Sequence, residues 1–267
     1  MTDLSGKAAI VTGGAGGMGR AHALRLASLG ANVAIFDKDL EVARRFGEKL
    51  SASSVVDELL AFGRQAMAIQ ADLASADQAA AAVEKVRATF GRLDIVINNA
   101  GGVITPIENS TASLSSPEDT QKLFEANFLT TLNMCQATAP LLQRPGGVVV
   151  NIITIGAEIQ DAAGRYALYG AAKAAVLKYS NTLAVELAPD GVRVNCISPG
   201  LIETARVVAQ ATKRNLATSD AASAIPLRRL GTIEDVVGVM EFLVSDSAAY
   251  ITGECIRVAG GLGLVTA

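Results

Sequence analysis

The fold is indicated by one stretch near the amino terminus, Ala8-Ala9-Ile10-Val11-Thr12-Gly13-Gly14-Ala15-Gly16-Gly17-Met18-Gly19. Its first four residues are apolar and predict a buried strand, and a helical pattern runs from residue 17 to residue 29. The glycines between them permit a tight strand-to-helix turn, in which backbone N–H groups and the helix N-terminus approach phosphate oxygens. The turn therefore predicts a dinucleotide diphosphate site, although an ordinary glycine-rich surface turn would contain the same residues.

Apolar strands alternate with helices along the chain. Predicted strands cover residues 8–11, 32–36, 66–70, 93–97, 147–153, 192–197 and 254–258, and helices cover 17–29, a long segment ending near 62, 76–90 and 117–142. Near-continuous Val and Ile runs indicate strands that are buried on both faces, as in a parallel sheet covered by helices. We expect an α/β fold with residues 1–267 in a single domain: a doubly wound (Rossmann), mostly parallel seven-stranded sheet with helices on both faces.

Two segments interrupt this alternation, residues 102–116 and 201–225. Both leave the carboxyl ends of predicted strands, where ligands bind in open α/β sheets. We predict that they line a pocket for a small-molecule substrate together with residues 155–157. Four residues indicate an apolar wall, namely Ile104, Ile107, Val207 and Val208. Five basic residues are predicted either as a solvated helix face or as contacts to an anionic substrate: Arg206, Lys213, Arg214, Arg228 and Arg229.

Composition excludes several classes of function. Half of the 267 residues are hydrophobic, 18% are charged and the formal charge is −3, which favours a packed core and argues against nucleic acid as a partner. No apolar run reaches the ~18 residues of a membrane span, and the N-terminus has no signal core, so we expect a cytoplasmic protein. His22 is the one histidine, an ordinary helix residue by prediction, so no metal site is expected. The three cysteines are predicted as reduced core residues.

Asp37 stands at the end of the second predicted strand, eighteen residues beyond Gly19. A carboxylate at this position accepts hydrogen bonds from the adenosine ribose hydroxyls of NAD. It would repel the additional phosphate of NADP by ~4 kcal/mol per charge at 4 Å in an effective dielectric near 20. Arg20 and Lys38 lie nearby and leave the alternative open. We predict NAD as the cofactor, with NADP less favoured.

Tyr169 stands four residues before Lys173 in a predicted helix, so both side chains lie on one face. Removing the proton of an alcohol needs a base, and the ordinary pKa of a tyrosine phenol, near 10, is too high at neutral pH. A cation one helical turn away stabilises the phenolate. Tyr166 is an alternative base, but its fourth successor is Gly170. We therefore predict Tyr169 as a general acid/base.

The order Thr-Gly-x-x-x-Gly-x-Gly followed by Tyr-x-x-x-Lys resembles the short-chain dehydrogenase/reductase family, and the resemblance covers almost all of the chain. Asn98-Asn99-Ala100-Gly101 matches the family's Asn-Asn-Ala-Gly motif, in which the first asparagine bridges strands and the last residues leave room for the cofactor ribose. Asp72-Leu73 resembles the position that contacts adenine, although Asp72 also suits helix capping. Ser198-Pro199-Gly200, with Thr204 beyond it, resembles the family segment that contacts the nicotinamide carboxamide.

The resemblance also implies catalytic helpers. Thr154 stands where family members commonly have the serine that hydrogen-bonds the substrate oxygen, and Asn127 matches the asparagine that holds a proton-relay water near the lysine. The predicted catalytic set is Asn127, Thr154, Tyr169 and Lys173. The residues predicted at the cofactor are Gly13, Gly17, Met18, Gly19, Asp37, Asp72, Leu73, Asn99, Ala100, Gly101, Tyr169, Lys173, Pro199, Gly200, Ile202 and Thr204.

The activity implied is an NAD-dependent oxidoreductase that interconverts a secondary alcohol and a ketone by hydride transfer. One alternative is a 3-oxoacyl carrier-protein reductase, which normally uses NADPH, so Asp37 counts against it. Another is a dinucleotide-binding sensor that has lost turnover, supported only by threonine at position 154. Family members are usually dimers or tetramers, and the small residues Ala171, Ala174 and Ala175 suit close helix contacts. We expect a homotetramer.

Overall fold

The computed structural model describes residues 2–210 and 222–264. Within these ranges one sheet contains seven strands, β1 Ala8–Thr12, β2 Asn32–Asp37, β3 Ala66–Gln70, β4 Ile95–Asn98, β5 Val148–Ile152, β6 Arg193–Pro199 and β7 Cys255–Val258. Their order is β3-β2-β1-β4-β5-β6-β7, and every neighbouring pair is parallel. The predicted doubly wound α/β fold is confirmed.

Helices cover both faces of the sheet. In chain order they are α1 Gly17–Ser28, α2 Val42–Arg45, α3 Val55–Leu60, α4 Ala76–Phe90, α5 Pro117–Phe124, α6 Thr130–Thr138, α7 Ala167–Leu187, α8 Ala205–Gln210 and α9 Ile233–Val244. Successive residues of a strand point to opposite faces, so Val11 packs with α1 and α9 whereas Ile10 packs with α4, α6 and α7. Both faces of β1 are therefore buried, as its uninterrupted apolar sequence predicts.

The segment between β2 and β3 differs from the prediction of one long helix ending near residue 62. It forms only the short helices α2 and α3, with an irregular stretch at 46–54 between them. Gly47 has φ +70°, a left-handed conformation that ends α2. Ser54 begins α3 by accepting a hydrogen bond from the backbone N–H of Asp57. The stretch 46–54 is therefore free to contact another element, and it contacts the start of α1.

The predicted helix over 117–142 also differs in one turn. A π-helical turn, Glu125–Leu129, separates α5 from α6, and a short 3₁₀ turn, Ala139–Leu141, ends the segment. Single π turns inside helices are frequent at functional sites. This one contains Asn127, which is fully buried.

His22 lies within α1 as predicted, and it is completely buried. Among the described residues neither ring nitrogen has a hydrogen-bond partner. Burial lowers the pKa of His22 from 6.5 to about 4, because the charged imidazolium is disfavoured away from water. Between those two pH values the unfolded chain binds a proton that the folded chain does not, so stability falls as the pH drops through this window.

We expect His22→Leu to remove part of this acid sensitivity. Between pH 7 and pH 5 the histidine costs the wild-type protein ~2 kcal/mol of unfolding free energy, a loss that the leucine variant does not share. Urea unfolding at the two pH values measures the difference. If both proteins lost the same free energy over this interval, His22 would not be the residue that responds to acid.

Candidate functional site

The two strands β1 and β4 are neighbours from which the chain leaves in opposite directions, the switch point where open α/β sheets bind ligands. Thr12 holds their carboxyl ends together, because its hydroxyl oxygen accepts from the backbone N–H groups of Asn99 and Ala100 at 3.0 Å each. The side-chain amide of Asn99 donates to the carbonyls of Thr12 and Gly13. These bonds fix the glycine turn relative to β4.

The glycine turn is packed closely against the residues around it. Gly13 has φ +62°, and a Cβ there would lie 3.0 Å from the Cα of Ala100. A Cβ on Gly19 would lie 1.9 Å from the carbonyl oxygen of Gly13, so the first turn of α1 rests directly on the loop. A Cβ on Gly17 would meet nothing within 4 Å, which leaves the helix N-terminus open on that side. The turn has the shape that a phosphate-binding loop requires.

Asp37 ends β2 beside this turn and is half-buried. Its carboxylate accepts from the backbone N–H of Ala15 at 3.2 Å. Burial raises its pKa, with hydrogen bonds from backbone amides acting in the opposite direction. The two cations predicted to compete with it are both engaged elsewhere. Lys38 lies 3.0 Å from Asp72, and Arg20 pairs with Glu48 and Glu58.

A cleft of about 330 Å³ opens at the carboxyl ends of β1, β2 and β4. Predicted cofactor residues that line it are Gly13, Gly17, Met18, Asp37, Leu73, Asn99, Ala100, Gly101 and Thr204. Predicted residues outside its lining are Gly19, Asp72, Tyr169, Lys173, Pro199, Gly200 and Ile202. The sequence interpretation missed several lining residues, among them Val42, Phe46 and Glu48. All three belong to the stretch predicted as a regular helix, so no sequence signal singled them out.

Asp72 has a role different from the helix cap considered for it. The N-cap of α4 is Ser75, which accepts from the backbone N–H of Gln78. Asp72 instead accepts from the backbone N–H of Ala74 and pairs with Lys38 at the surface. Leu73 next to it is buried and faces the cleft.

Tyr169 and Lys173 lie in the first two turns of α7. Lys173 is 3% exposed, and its Nζ donates to the carbonyl oxygen of Ile152, the last residue of β5, at 2.8 Å. Burial lowers the pKa of this ammonium from 10.5 to about 8. A Cβ on Gly170 would lie 2.5 Å from the carbonyl oxygen of Gly156, so only glycine allows α7 to approach the turn after β5 this closely. Gly170 therefore brings the Tyr169 helix against the Thr154 segment.

Thr154 begins that turn and is half-buried. Its hydroxyl oxygen accepts from the backbone N–H of Gly156 at 3.3 Å, a long bond that leaves the hydroxyl proton available to another acceptor. The 3₁₀ turn Ile155–Ala157 follows, and residues 158–166 connect it to α7. This connection accounts for the long separation between Thr154 and Tyr169 in the sequence.

The side chain of Asn127 forms hydrogen bonds with the backbone of the segment that follows β4. Its Oδ1 accepts from the N–H of Gly102 at 2.8 Å, and its Nδ2 donates to the carbonyls of Gly102 and Leu123. A Cβ on Gly101 would lie 2.5 Å from Asn127 Oδ1. Asn127 therefore holds the path of the chain where the cleft meets α7, and the π turn around it places its side chain there.

The segment 102–116 is joined to the start of α7. Tyr166, the N-cap, has φ +63°, and its backbone N–H donates to the hydroxyl of Ser110 at 3.2 Å. The N–H of Ala167 donates to the carbonyl of Ser110. A left-handed conformation is strained for a non-glycine residue, and these two bonds hold it in place. The predicted substrate loop, residues 102–116, is thus joined to the start of α7 by the two hydrogen bonds to Ser110.

The segment after β6 returns to the cleft. Gly200 donates to the carbonyl of Val258, Ile202 is buried, and the hydroxyl of Thr204 accepts from the N–H of Val207 at the start of α8. Residues 211–221, which include the predicted basic residues Lys213 and Arg214, lie outside the described residues. The rest of the predicted loop over 201–225 is described on either side of them.

Arg206 differs from the predicted solvated helix face. It is half-buried, lies over the ring of Phe46 with its guanidinium carbon 5.9 Å from the ring centroid, and donates to the carbonyl of Val103. It therefore spans the cleft from α8 to the segments after β2 and β4. Arg228 and Arg229 are exposed, as a solvated face requires, and Arg229 pairs with Asp235.

The predicted bridge between strands is present below the cleft. Asn98 donates to the side chain of Asn151 at 2.8 Å, and Asn151 donates to Ser180 in α7. Cys135 and Cys196 are buried, Cys255 is half-buried, and all three are free thiols, in agreement with the predicted core packing. No helix in residues 2–210 or 222–264 has the length and apolar character needed to cross a membrane.

Comparison with known proteins identifies the family to which the chain belongs. A family model described as enoyl-(acyl carrier protein) reductase matches residues 13–263. A cyclohexanol dehydrogenase from Rhodococcus sp. strain TK6 is 42% identical over 270 residues, covering 98% of this chain and 99% of that protein. The chain belongs to the short-chain dehydrogenase/reductase family. It is an oxidoreductase of that family, whose members bind a nicotinamide dinucleotide.

Other members of the short-chain dehydrogenase/reductase family show how wide the range of activities is. A 3-oxoacyl-[acyl-carrier-protein] reductase from Synechocystis sp. is 35% identical over 265 residues, covering 98% of this chain and 99% of that protein. A short-chain dehydrogenase from Burkholderia cenocepacia, solved in complex with NADP, has a TM-score of 0.83 and 33% identity, covering 97% and 98% of the two chains. The substrate and the choice between NAD and NADP therefore depend on residues particular to this chain.

Proposed function

We propose that the protein is an NAD-dependent dehydrogenase that interconverts a small secondary alcohol and its ketone, with Tyr169 as the general acid/base. The observation that carries the proposal is the placement of Tyr169 and Lys173 in one helix, with the Lys173 ammonium buried against the end of β5. A structural lysine would not need such burial, because an ammonium at the surface keeps its hydration. A buried cation one turn from a phenol lowers the pKa of that phenol.

The residues of the cleft fit a nicotinamide dinucleotide. Gly13 and Gly19 allow the tight turn that brings the N-terminus of α1 to the cleft, no atom lies within 4 Å of the Cβ position at Gly17, and Asp37 places a carboxylate at the end of β2. Thr204, which also lines the cleft, would contact the nicotinamide end. When bound, the nicotinamide ring accepts or supplies the hydride. The chain's own residues transfer the proton that accompanies the hydride.

Tyr169 removes the hydroxyl proton of the alcohol at its phenolate oxygen, and returns a proton to the ketone oxygen in the reverse direction. Lys173 stabilises the phenolate by its charge, and Thr154 orients the substrate oxygen by a hydrogen bond from its hydroxyl. Asn127 keeps the chain at Gly102 in position beside them, and we retain the proposal that it supports a relay water. Each residue acts on the same small region at the ends of β4 and β5.

The proposed substrate is an alicyclic alcohol or ketone of the size of cyclohexanol. Ile104 lines the cleft, Ile155 is buried beside the Thr154 turn, and the similar protein from Rhodococcus is named a cyclohexanol dehydrogenase. Ile104 gives the cleft an apolar contact, which favours a ring without further hydroxyl groups over a sugar. A panel of cyclohexanol, acyclic secondary alcohols and a polyol, followed by absorbance of the reduced nicotinamide with NAD and NADP in parallel, tests both assignments. Turnover of the polyol alone would overturn the substrate class.

The second candidate is a 3-oxoacyl carrier-protein reductase. It is supported by the 35% identical reductase from Synechocystis sp., and Asp37 counts against it because that reaction normally uses NADPH. Reduction of a 3-oxoacyl thioester by NADPH faster than of cyclohexanone by NADH would establish it. Failure of every alcohol and ketone, with dinucleotide binding intact, would instead favour the sensor. A cytoplasmic location and a homotetramer stay predictions, the latter testable by sedimentation equilibrium.

We expect Asp37→Ala to narrow the preference for NAD over NADP at least about tenfold. The reason is that the carboxylate repels the additional phosphate and binds the ribose hydroxyls, and alanine does neither. The ratio of kcat/KM with the two cofactors measures the effect. Glu41→Gln is the matched control, since this exposed carboxylate lies in the same segment and pairs only with Arg44 among the described residues. An unchanged ratio in Asp37→Ala would discard the assignment of this residue.

A further inference from the structure

The carboxylate of Glu48 lies at the N-terminus of α1. Its Oε1 accepts from the backbone N–H of Gly17 at 2.7 Å, and Glu48 and Gly17 both line the cleft. Gly17 is one of the residues predicted to bind the cofactor diphosphate. An anion already occupies a hydrogen-bond donor at the place where the proposed cofactor brings its own negative charge.

This position of Glu48 is built by the surrounding residues. Arg20, one turn into α1, lies 3.3 Å from Glu48 Oε2 and is itself held by two bonds to Glu58. The side chain of Glu58 is 1% exposed, so this pair is fixed in the protein. Val42 packs against Gly16 from the same segment, and the N–H of Ala43 donates to the carbonyl of Ala15. The segment after β2 is therefore fastened to the glycine turn, with Glu48 on its inner side.

We propose that Glu48 sets the affinity of the protein for its cofactor, by placing a negative charge beside the diphosphate and occupying the N–H of Gly17. The proposal rests on the proposed function, because it concerns the same dinucleotide. Two anions close to one helix N-terminus repel each other, and the gain from the helix dipole is shared between them. Binding of the diphosphate then requires Glu48 to leave Gly17, and Arg20 is the cation beside it that receives the displaced carboxylate.

The charges on the remaining sides of the cleft do not cancel this effect. Asp37 adds a second carboxylate at the end of β2, and Lys38 is paired with Asp72. Arg206 is a cation that also lines the cleft, over the ring of Phe46. Arg206 attracts a diphosphate and Glu48 repels it, so the two residues act in opposite directions on cofactor affinity. A dehydrogenase that must release its cofactor after each turnover benefits from the weaker binding.

Glu48→Gln separates charge from shape. The amide keeps an oxygen that accepts from Gly17, but it carries no charge. We expect the variant to bind NADH and ADP about tenfold more tightly than the wild type, because the repulsion of the diphosphate is removed. Adenosine, which has no phosphate, should bind equally to both proteins. Fluorescence titration gives the NADH dissociation constant, and displacement of NADH gives those of ADP and adenosine. Glu41→Gln, in the same segment but on the surface, should match the wild type with all three.

Equal or weaker binding of NADH and ADP by Glu48→Gln would overturn the proposal, and so would an equal gain for adenosine. Glu48→Ala provides a second measurement, since it also frees the N–H of Gly17, and tighter ADP binding is expected again. Unfolding midpoints confirm that both variants fold. The proposed function fails in a different way: a wild-type protein that bound no NADH would refute it before any variant was compared.

Discussion

Replacing Tyr169 with phenylalanine is expected to lower kcat for alcohol oxidation by about a thousandfold, the middle of the range for losing a general acid/base. The phenol oxygen is the only atom removed, so the shape of the first turns of α7 is kept. Cofactor binding is expected to stay within about twofold of the wild type, because Tyr169 lies outside the lining of the cleft and the substitution removes only one hydroxyl. Steady-state kinetics and NADH titration together measure the two effects.

Tyr166→Phe is the matched control, three residues earlier in the same segment. Tyr166 has Gly170 rather than a lysine four residues later, and its backbone is held by Ser110 through bonds that phenylalanine keeps. We expect this variant to retain most of its activity. A Tyr169→Phe enzyme with wild-type turnover, or an inactive Tyr166→Phe enzyme that still folds, would show that the wrong tyrosine has been assigned as the base.

The parts of the fold that the sequence predicted correctly depend on local patterns. The strand at Ala8–Thr12 is apolar without interruption, and its two faces pack on different helices, so periodicity and burial agree. The helix Ala76–Phe90 is bounded by a capping serine and by Gly91 with φ +73°. Both boundaries follow from the type of residue at that position. In such elements the local preference and the tertiary packing favour the same conformation.

The segment after β2 could not be predicted in the same way. Its sequence between 38 and 62 contains good helix formers, yet the stretch at 46–54 is irregular. Contacts distant in sequence decide its path: Glu58 accepts from Ser51 and binds Arg20, and Glu48 accepts from Gly17. Tertiary contacts of this kind override helix propensity, which amounts to only a few tenths of a kcal/mol per residue.

The sequence predicts a set of candidate catalytic residues, which stays a prediction, but it could not predict the contacts that support them. Asn127, Thr154, Tyr169 and Lys173 were selected by motif, and no motif states that a π turn directs Asn127 to Gly102. The role of Gly170 is similar, because only the three-dimensional structure brings the carbonyl of Gly156 against it. Spacing along the chain identifies candidate chemistry, whereas close approach between elements appears only after folding.

Lys173→Met is expected to lower kcat/KM for alcohol oxidation by about a hundredfold at pH 7, where the Lys173 ammonium is charged, since the phenol loses a charge that lowers its pKa by one to three units. Methionine fills much of the same buried volume without the ammonium. The loss should depend on pH. Without the cation the pKa of Tyr169 returns toward the ordinary value near 10, so the activity of the variant should still be rising where that of the wild type has levelled. A loss that is uniform across pH would assign Lys173 to packing alone.

The stability of the same variant tests whether the ammonium is buried in solution. Burial lowers the pKa of Lys173 from 10.5 to about 8, so between these values the unfolded chain binds a proton that the folded chain does not. Wild-type stability should therefore gain ~3 kcal/mol from this residue as the pH rises through that window, and the contribution is constant below pH 8. Lys173→Met should lack that gain, of which ~2 kcal/mol falls between pH 8 and pH 10, where urea unfolding detects it. If both proteins changed equally, the lysine would not be buried, and its charge would be too screened by water to act on Tyr169 as proposed.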